Sequence, residues 1–265
     1  TTTASTAGST TTRHDRLSEF KVSADNPASA DVASEKILLQ QSDDLVNHNG
    51  GDLHFGPDGY LYVSLGDEGG ANDTGFNSQL INRDFFSGIL RLDVDDRPGS
   101  LTPNKHPAVV GNYKIPADNP FVKQPDACPT IWSYGHRNPQ GLAFHPVTGD
   151  LYDAEHGPRG GDEVNLVRKG LNYGWPVISY GMNYDGTTLT ELTAKEGMEQ
   201  PVTYWVPSIA PCGANFYAGD LFPKWRNHLF VASLAAQELR RLELDGGKLV
   251  AQEVLFKEQI GRAHV

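Results

Sequence analysis

The sequence has few cysteines, no excess of basic residues and no long apolar run. Cys128 and Cys212 are the only cysteines among its 265 residues, which excludes a disulfide scaffold and a cysteine-rich zinc site. The sequence leaves open whether these two thiols form a bridge. The 33 acidic residues outnumber the 22 basic ones, and no Lys/Arg cluster supplies the basic face that nucleic-acid binding needs. No apolar run is long enough to cross a bilayer, so we expect no membrane span.

Signatures of several common enzyme classes are also missing. The chain has no P-loop, no Gly-x-Gly-x-x-Gly motif and no Gly-x-Ser-x-Gly nucleophile elbow. It also lacks the paired histidines at helical spacing that bind catalytic zinc. Functions that depend on nucleotides, NAD or a serine nucleophile therefore have no support in the sequence.

Glycine and proline, in contrast, are abundant. The 28 glycines and 17 prolines favour many short strands and turns over long helices. Hydrophobic residues make up 38% of the chain and charged residues 21%, a balance typical of a folded protein with an apolar core.

A partial internal repeat joins an aromatic residue, a Gly/Asp turn, a leucine-aromatic pair and a short strand. Its copies begin at Phe55, at Phe144 and, more weakly, at Phe216. Repeated strand pairs with tight turns predict a β-propeller or another radial β array. Further strands are predicted at 87–94, 238–244 and 249–256. We therefore predict an all-β chain of three to four blades, a single incomplete propeller domain over residues 1–265. A proline-rich excursion departs from it at about residues 71–130.

The first segment with chemical potential is Asn47-His48-Asn49-Gly50-Gly51-Asp52, just before a predicted strand. Two glycines let another molecule approach the backbone, and a loop histidine can act as a general base near neutral pH. Taken alone, the segment also fits a surface turn with an ordinary histidine.

The second segment is Tyr134-Gly-His-Arg-Asn-Pro-Gln-Gly141, in which Arg137 and Asn138 precede a proline turn. The planar fork of arginine donors suits an anion or a polarised carbonyl. The alternative is an arginine paired with one of the many acidic side chains.

The third segment is Glu155-His-Gly-Pro-Arg-Gly-Gly-Asp-Glu163. Carboxylates and the carbonyls of a Gly-Pro turn are ligands that hard cations such as Ca²⁺ prefer. The segment is not an EF-hand loop, and an acidic surface turn is the alternative.

Together and in this order, the three segments resemble those of the soluble glucose/sorbosone dehydrogenases, or aldose sugar dehydrogenases, which depend on pyrroloquinoline quinone (PQQ). The resemblance extends roughly from Arg16 to Arg262 and is strongest at residues 47–67, 135–144 and 155–176. It implies a six-bladed β-propeller, of which this chain would hold an incomplete set of blades. It also implies a periplasmic or secreted location.

The resemblance further implies a redox reaction at the anomeric hydroxyl of an aldose sugar. His48 would take the hydroxyl proton while the C1 hydride passes to PQQ, giving a lactone. Arg137 and Asn138 would hold the quinone oxygens, and Arg137 would stabilise the developing oxyanion. Electrons would leave to an external acceptor.

Metal and substrate residues are implied in the same way. A Ca²⁺ ion acting as a Lewis acid on PQQ would be held partly by two backbone carbonyls, those of Gly157 and Pro158. A second, structural calcium site in relatives matches Asp162, Glu163 and Tyr173. Relatives place aromatic side chains near the substrate at two positions, which correspond here to Tyr204 and Trp205.

The chain also departs from the family pattern. Arg262 matches the first of two arginines that bind the PQQ carboxylates in relatives, but the second is absent. Ala235 stands where some relatives carry a PQQ-binding lysine. Nothing matches a further N-terminal blade or the blade that closes the ring. We therefore expect an internal fragment of a dehydrogenase.

Two other functions remain open at this point. The departures at Ala235 and after Arg262 favour a noncatalytic, calcium-containing propeller module that binds carbohydrate or protein. A calcium-dependent lactonase without PQQ is a weaker alternative. The intact His48, Arg137 and Asn138 favour the dehydrogenase.

Overall fold

The computed structural model describes residues 13–103 and 109–258, which are built almost entirely from β-strands. The fifteen strands of this part are β1 (His14–Val22), β2 (Ala30–Ser42), β3 (Leu53–Phe55), β4 (Leu61–Ser64), β5 (Gly88–Leu92), β6 (Val109–Gly111), β7 (Ile131–Tyr134), β8 (Pro139–Phe144), β9 (Leu151–Glu155), β10 (Asp162–Val167), β11 (Thr203–Trp205), β12 (Pro211–Phe216), β13 (Leu229–Ser233), β14 (Glu238–Asp245) and β15 (Lys248–Leu255). Over the same residues, the one helix is a 3₁₀ turn at Pro223–Trp225, and no helix has the length and apolarity needed to traverse a bilayer.

The strands form three four-stranded antiparallel sheets and one three-stranded sheet. Blade I contains β3, β4, β5 and β7, blade II contains β8 to β11, and blade III contains β12 to β15. The three-stranded sheet joins β1, β2 and β6. Within each blade, strands adjacent in the chain are also neighbours in the sheet, apart from the detour through β6. The prediction of an all-β incomplete propeller with three to four blades is confirmed.

Each copy of the sequence repeat forms the first hairpin of a blade. The hairpins pair β3 with β4, β8 with β9, and β12 with β13. In the blade I turn, Gly59 has a φ of 77° and donates its N–H to the Gly56 carbonyl at 2.8 Å. Gly149 in the second copy is also left-handed, with a φ of 73°, which explains the glycine at this position in the first two copies.

The blades pack through apolar side chains on their facing surfaces. Tyr62 of blade I meets Phe144 of blade II edge to face, with ring centroids 5.1 Å apart. Ala154 and Val164 of blade II share a core with Val231 of blade III. These facing surfaces hold the first strands of the three blades side by side.

The proline-rich interval at residues 71–130 contributes both to blade I and to a second core. Strand β5 lies within it and belongs to blade I, whereas Tyr113, Ile115 and Cys128 pack with Leu90 in a core shared with the three-stranded sheet. Cys128 is buried, and no disulfide joins it to Cys212.

A close backbone approach between blades II and III predicts a position where substitution lowers stability. A Cβ at Gly141 in β8 would lie 2.6 Å from the Ala214 nitrogen in β12, whereas a Cβ at Gly213 would have no atom within 4 Å. We expect Gly141→Ala to lower the free energy of unfolding by roughly 1–3 kcal/mol because blades II and III must separate. The matched Gly213→Ala should change it by less than about 0.5 kcal/mol. Denaturant titrations of both variants measure this difference, and equal stabilities would contradict the predicted contact.

Candidate active site

The three polar segments meet at one end of the blades. Residues 47–52 lead into β3, Arg137 and Asn138 lead into β8, and residues 156–161 connect β9 to β10. The Gly50 N–H donates to Asn138 Oδ1 at 3.2 Å, and the His156 N–H donates to the Asn138 carbonyl at 3.1 Å. Asn138 therefore links all three segments.

His48 is held by a buried carboxylate. Its Nδ1 lies 2.6 Å from Oδ1 of Asp67, which is fully buried after β4. The second oxygen, Oδ2, accepts a hydrogen bond of 2.8 Å from the Trp175 indole N–H. A carboxylate at Nδ1 favours a proton on that nitrogen, so Nε2 becomes the acceptor of the neutral ring. This is the arrangement that a general base requires.

The backbone around His48 is under steric constraint. His48 has a φ of 59°, a left-handed value that side chains other than glycine rarely adopt. Its carbonyl oxygen lies only 1.8 Å from where a Cβ at Gly66 would be. Gly66 is therefore the residue that lets the His48 loop settle onto blade I.

Arg137 is buried and already partly bonded within the protein. Its Nη1 donates to the carbonyls of His156 at 3.1 Å and Gly157 at 2.7 Å. The guanidinium carbon lies 5.2 Å from the ring centre of Trp175, the residue that also bonds Asp67. Within the described part of the chain, its buried Nε has no hydrogen-bond partner. A buried donor without a partner is costly, which suits a site completed by a ligand acceptor.

Asn138 is oriented by its own side-chain oxygen. That oxygen accepts from the Gly50 N–H and from Gln140 Nε2, the latter at 2.9 Å. The amide NH₂ is thus the group that Asn138 can offer a ligand. Arg137 and Asn138 together present donors that suit quinone or carboxylate oxygens.

A buried charged cluster supports both residues from below. Glu155 Oε2 accepts the backbone N–H groups of Arg137 at 2.6 Å and Asn138 at 3.3 Å. The fully buried His136 places Nδ1 3.1 Å from Asp153 Oδ2 and 3.3 Å from Glu155 Oε1. Burial alone would lower the pKa of His136, but the two carboxylates outweigh it and raise that pKa to about 10. An imidazolium therefore neutralises the acidic pair.

Four of the five predicted metal residues line one small cavity of about 20 Å³ beside Arg137, namely Gly157, Pro158, Glu163 and Tyr173. The Tyr173 hydroxyl is already used, since it donates to the Leu166 carbonyl at 2.7 Å and accepts from the Arg168 N–H at 2.8 Å. Backbone carbonyls and the Glu163 carboxylate are the oxygen ligands that this cavity offers a hard cation.

Asp162, the fifth predicted metal residue, has a different role in the structure. Its Oδ1 accepts the Gly157 N–H at 2.9 Å. Its Oδ2 accepts three hydrogen bonds from the segment before β12, those of the Ser208 hydroxyl and the Ile209 and Ala210 N–H groups. Oδ1 therefore fixes the loop that carries Gly157, and Oδ2 fixes the segment before β12. Asp162 does not line the cavity that the other four share.

The two predicted substrate residues are placed differently from each other. Tyr204 is half exposed and stacks on Tyr180 with ring centroids 3.7 Å apart. Trp205 is buried in the core between blades II and III, and its indole N–H donates to Gln252 at 3.2 Å. The structure does not bring the Trp205 side chain to the cavity. Arg262 lies outside the described residues.

No motif in the sequence identifies the residues that support the site. Asp67 and Trp175 orient the predicted base and arginine, and His136 and Asp153 lie beneath them. Asp67 stands directly after a Gly in the strand-to-loop step Leu65-Gly66-Asp67, a signal that could have marked it. Trp175 carried no such signal, because its partner lies 108 residues earlier in the chain.

Comparison with known proteins finds relatives that are similar in sequence and in structure. The sequence is 40% identical to aldose sugar dehydrogenase YliI of Escherichia coli K12 over 205 residues, which are 77% of this chain and 49% of that protein. A crystal structure of glucose dehydrogenase superposes with a TM-score of 0.75 at 38% identity, covering 91% of this chain and 63% of that one. The PQQ-bound form of aldose sugar dehydrogenase from Streptomyces coelicolor gives 0.67 at 26% identity, covering 93% and 60%.

Almost the whole chain also matches the sequence pattern of one protein family. The chain spans about half the length of the curated relatives it matches. The glucose/sorbosone dehydrogenase family matches residues 1–263. The chain therefore belongs to the glucose/sorbosone dehydrogenase family.

Proposed function

We propose that the protein oxidises the anomeric hydroxyl of an aldose to a lactone, with PQQ as hydride acceptor and Ca²⁺ as Lewis acid. The observation that carries this proposal is the His48–Asp67 pair beside the buried Arg137, whose Nε has no partner among the described residues. The names of the relatives support the substrate class, and the PQQ-bound relative supports the cofactor.

His48 would move the proton in this reaction. Its Nε2 takes the proton of the sugar hydroxyl while the C1 hydrogen leaves with its electron pair. Asp67 stabilises the resulting imidazolium through Nδ1 and keeps the ring oriented. PQQ, when bound, supplies the two-electron acceptor, and an external acceptor later removes those electrons.

The residues present fit such a cofactor and ion. The unused Nε of Arg137 and the NH₂ of Asn138 would hold anionic or quinone oxygens. The carbonyl of Gly157, which already accepts a hydrogen bond from Arg137 Nη1, and the carbonyl of Pro158 would hold Ca²⁺ on the same side. The Glu163 carboxylate also lines this cavity. Tyr204 remains a prediction for the substrate side, and Arg262 for the cofactor side. A periplasmic or secreted location completes the proposal.

Titration of the protein with PQQ and Ca²⁺, followed by D-glucose and a redox dye, tests the proposal. We expect dye reduction that requires PQQ, disappears after chelation of Ca²⁺ and returns when Ca²⁺ is restored, because the ion is needed to polarise the quinone. Binding of glucose at saturating PQQ without any dye reduction would contradict the dehydrogenase and support the noncatalytic binding module. Lactone hydrolysis without PQQ would support the lactonase.

A further inference from the structure

The segment at residues 178–184, here called the rim segment, begins at the wall of the cavity. Ile178 and Ser179 line the cavity. Gly181 then passes over Gly161 so closely that a Cβ on Gly161 would lie 2.5 Å from the Gly181 nitrogen. Met182 and Arg159 exchange backbone hydrogen bonds of 3.1 and 3.3 Å. The rim segment is therefore anchored to the same loop that carries Gly157 and Pro158.

The rim segment ends in a tight turn at residues 183–187, which fixes the position of Tyr184. The Asn183 N–H donates to the Thr187 carbonyl at 3.0 Å, and the Gly186 N–H donates to the Asn183 carbonyl at 2.9 Å. Asp185 Oδ1 accepts both the N–H and the hydroxyl of Thr187, at 2.9 and 2.7 Å. Gly186 has a φ of 90°, which this turn requires. A turn with so many internal bonds presents its second residue in a defined place.

Tyr184 reaches from this turn to the proposed reaction centre. Its hydroxyl accepts a hydrogen bond of 3.3 Å from Arg137 Nη2. At the same time the residue is 65% exposed. An exposed aromatic ring gives up its hydration more readily than a polar side chain does. In tyrosine only the hydroxyl at the tip of the ring needs a hydrogen-bond partner. Tyr184 thus combines a polar tip bonded to Arg137, which lines the cavity, with a ring open to solvent.

We propose that Tyr184 contacts the aldose directly and determines how tightly it binds. This inference rests on the proposed function, because it places the sugar beside Arg137. The ring face packs against the apolar C–H face of the sugar ring, and the bond to Arg137 keeps that face turned to the cavity. A rigid aromatic platform also costs little conformational entropy when the ligand binds.

Saturation-transfer NMR measures the Kd for D-glucose, with and without PQQ and Ca²⁺, and so tests this role of Tyr184. We expect Tyr184→Ala to raise the Kd for glucose about tenfold, because ring stacking is lost, and Tyr184→Phe to raise it less than about threefold. The affinity for PQQ should stay within about twofold in both variants. Phe222→Ala removes another exposed ring, on the β12–β13 connection at the opposite end of the blades, and serves as the matched control.

The outcomes separate this inference from the dehydrogenase proposal. A glucose Kd in Tyr184→Ala that equals the unchanged protein's, or that shifts as much in Phe222→Ala, overturns the role of Tyr184. So does the absence of any glucose binding by the unchanged protein. Glucose binding that depends on Tyr184 without dye reduction would uphold the sugar contact while refuting the dehydrogenase.

Discussion

Replacing His48 by alanine is expected to slow PQQ-dependent dye reduction by roughly 10²- to 10⁴-fold, the range that a positioned general base contributes. The reason is the geometry at Nδ1, where Asp67 lies 2.6 Å away and leaves Nε2 to accept the hydroxyl proton. Steady-state rates with D-glucose measure the loss. PQQ affinity should be almost unchanged because Arg137 and Asn138 are intact.

Two further variants show whether His48 acts as a base. His48→Gln keeps a polar side chain of similar length and should be as slow as the alanine variant. Asp67→Asn keeps a polar group beside Nδ1 but removes its charge. The loss of rate should be smaller than in His48→Ala, and the pH dependence of the rate should differ from that of the unchanged protein. A His48→Gln enzyme that retains a tenth or more of the rate would refute the role, since glutamine cannot take the proton.

Replacing His136 by leucine is expected to lower the free energy of unfolding by about 3–5 kcal/mol, the usual cost of removing one partner from a buried ionic group. The change leaves Asp153 and Glu155 buried as neighbouring acids without a cation between them. Burial and the neighbouring Glu155 already raise the pKa of Asp153 to about 6. Urea unfolding followed by tryptophan fluorescence measures the loss.

His54 provides the matched control for this second change. Its ring is about half exposed and lies 3.4 Å from Asp52, so His54→Leu should cost no more than about 1 kcal/mol. Adding Asp153→Asn to His136→Leu should recover part of the stability, because the uncompensated charge is removed. Equal stabilities of the two single variants, or no recovery in the double variant, would show that the buried pair is not what stabilises this region.

The first hairpins of the blades could be predicted because their signals are local. The turn glycines, the Leu-Tyr pairs and the aromatic residues of the repeat lie within about ten residues of one another, and turn chemistry alone specifies such hairpins. The juxtaposition of His48 and Arg137 was implied by the resemblance alone. Equivalent positions in successive blades end up side by side when the blades pack radially.

The support of the site could not be predicted because its partners are distant in sequence. Trp175 joins Asp67 to Arg137 only after the loop beyond β10 returns across the blade end. The same limit applies to Asp162, which the sequence shows as a possible metal ligand. Its carboxylate in fact accepts hydrogen bonds from one hydroxyl and two N–H groups of a segment 46 to 48 residues later. A residue's type suggests several roles, and the folded neighbours select one.

The two ends of the blades differ, and this difference decides where the protein can be attached to a surface. The three polar segments share one end, whereas the turns that close the first hairpins share the other, where a Cβ on Gly149 would sit 3.1 Å from Pro57. Val147 at this far end is 73% exposed. A linker or conducting support attached at that turn holds the molecule with its cavity directed outward. The attachment point and the proposed active site thereby lie at opposite ends of the same short strands.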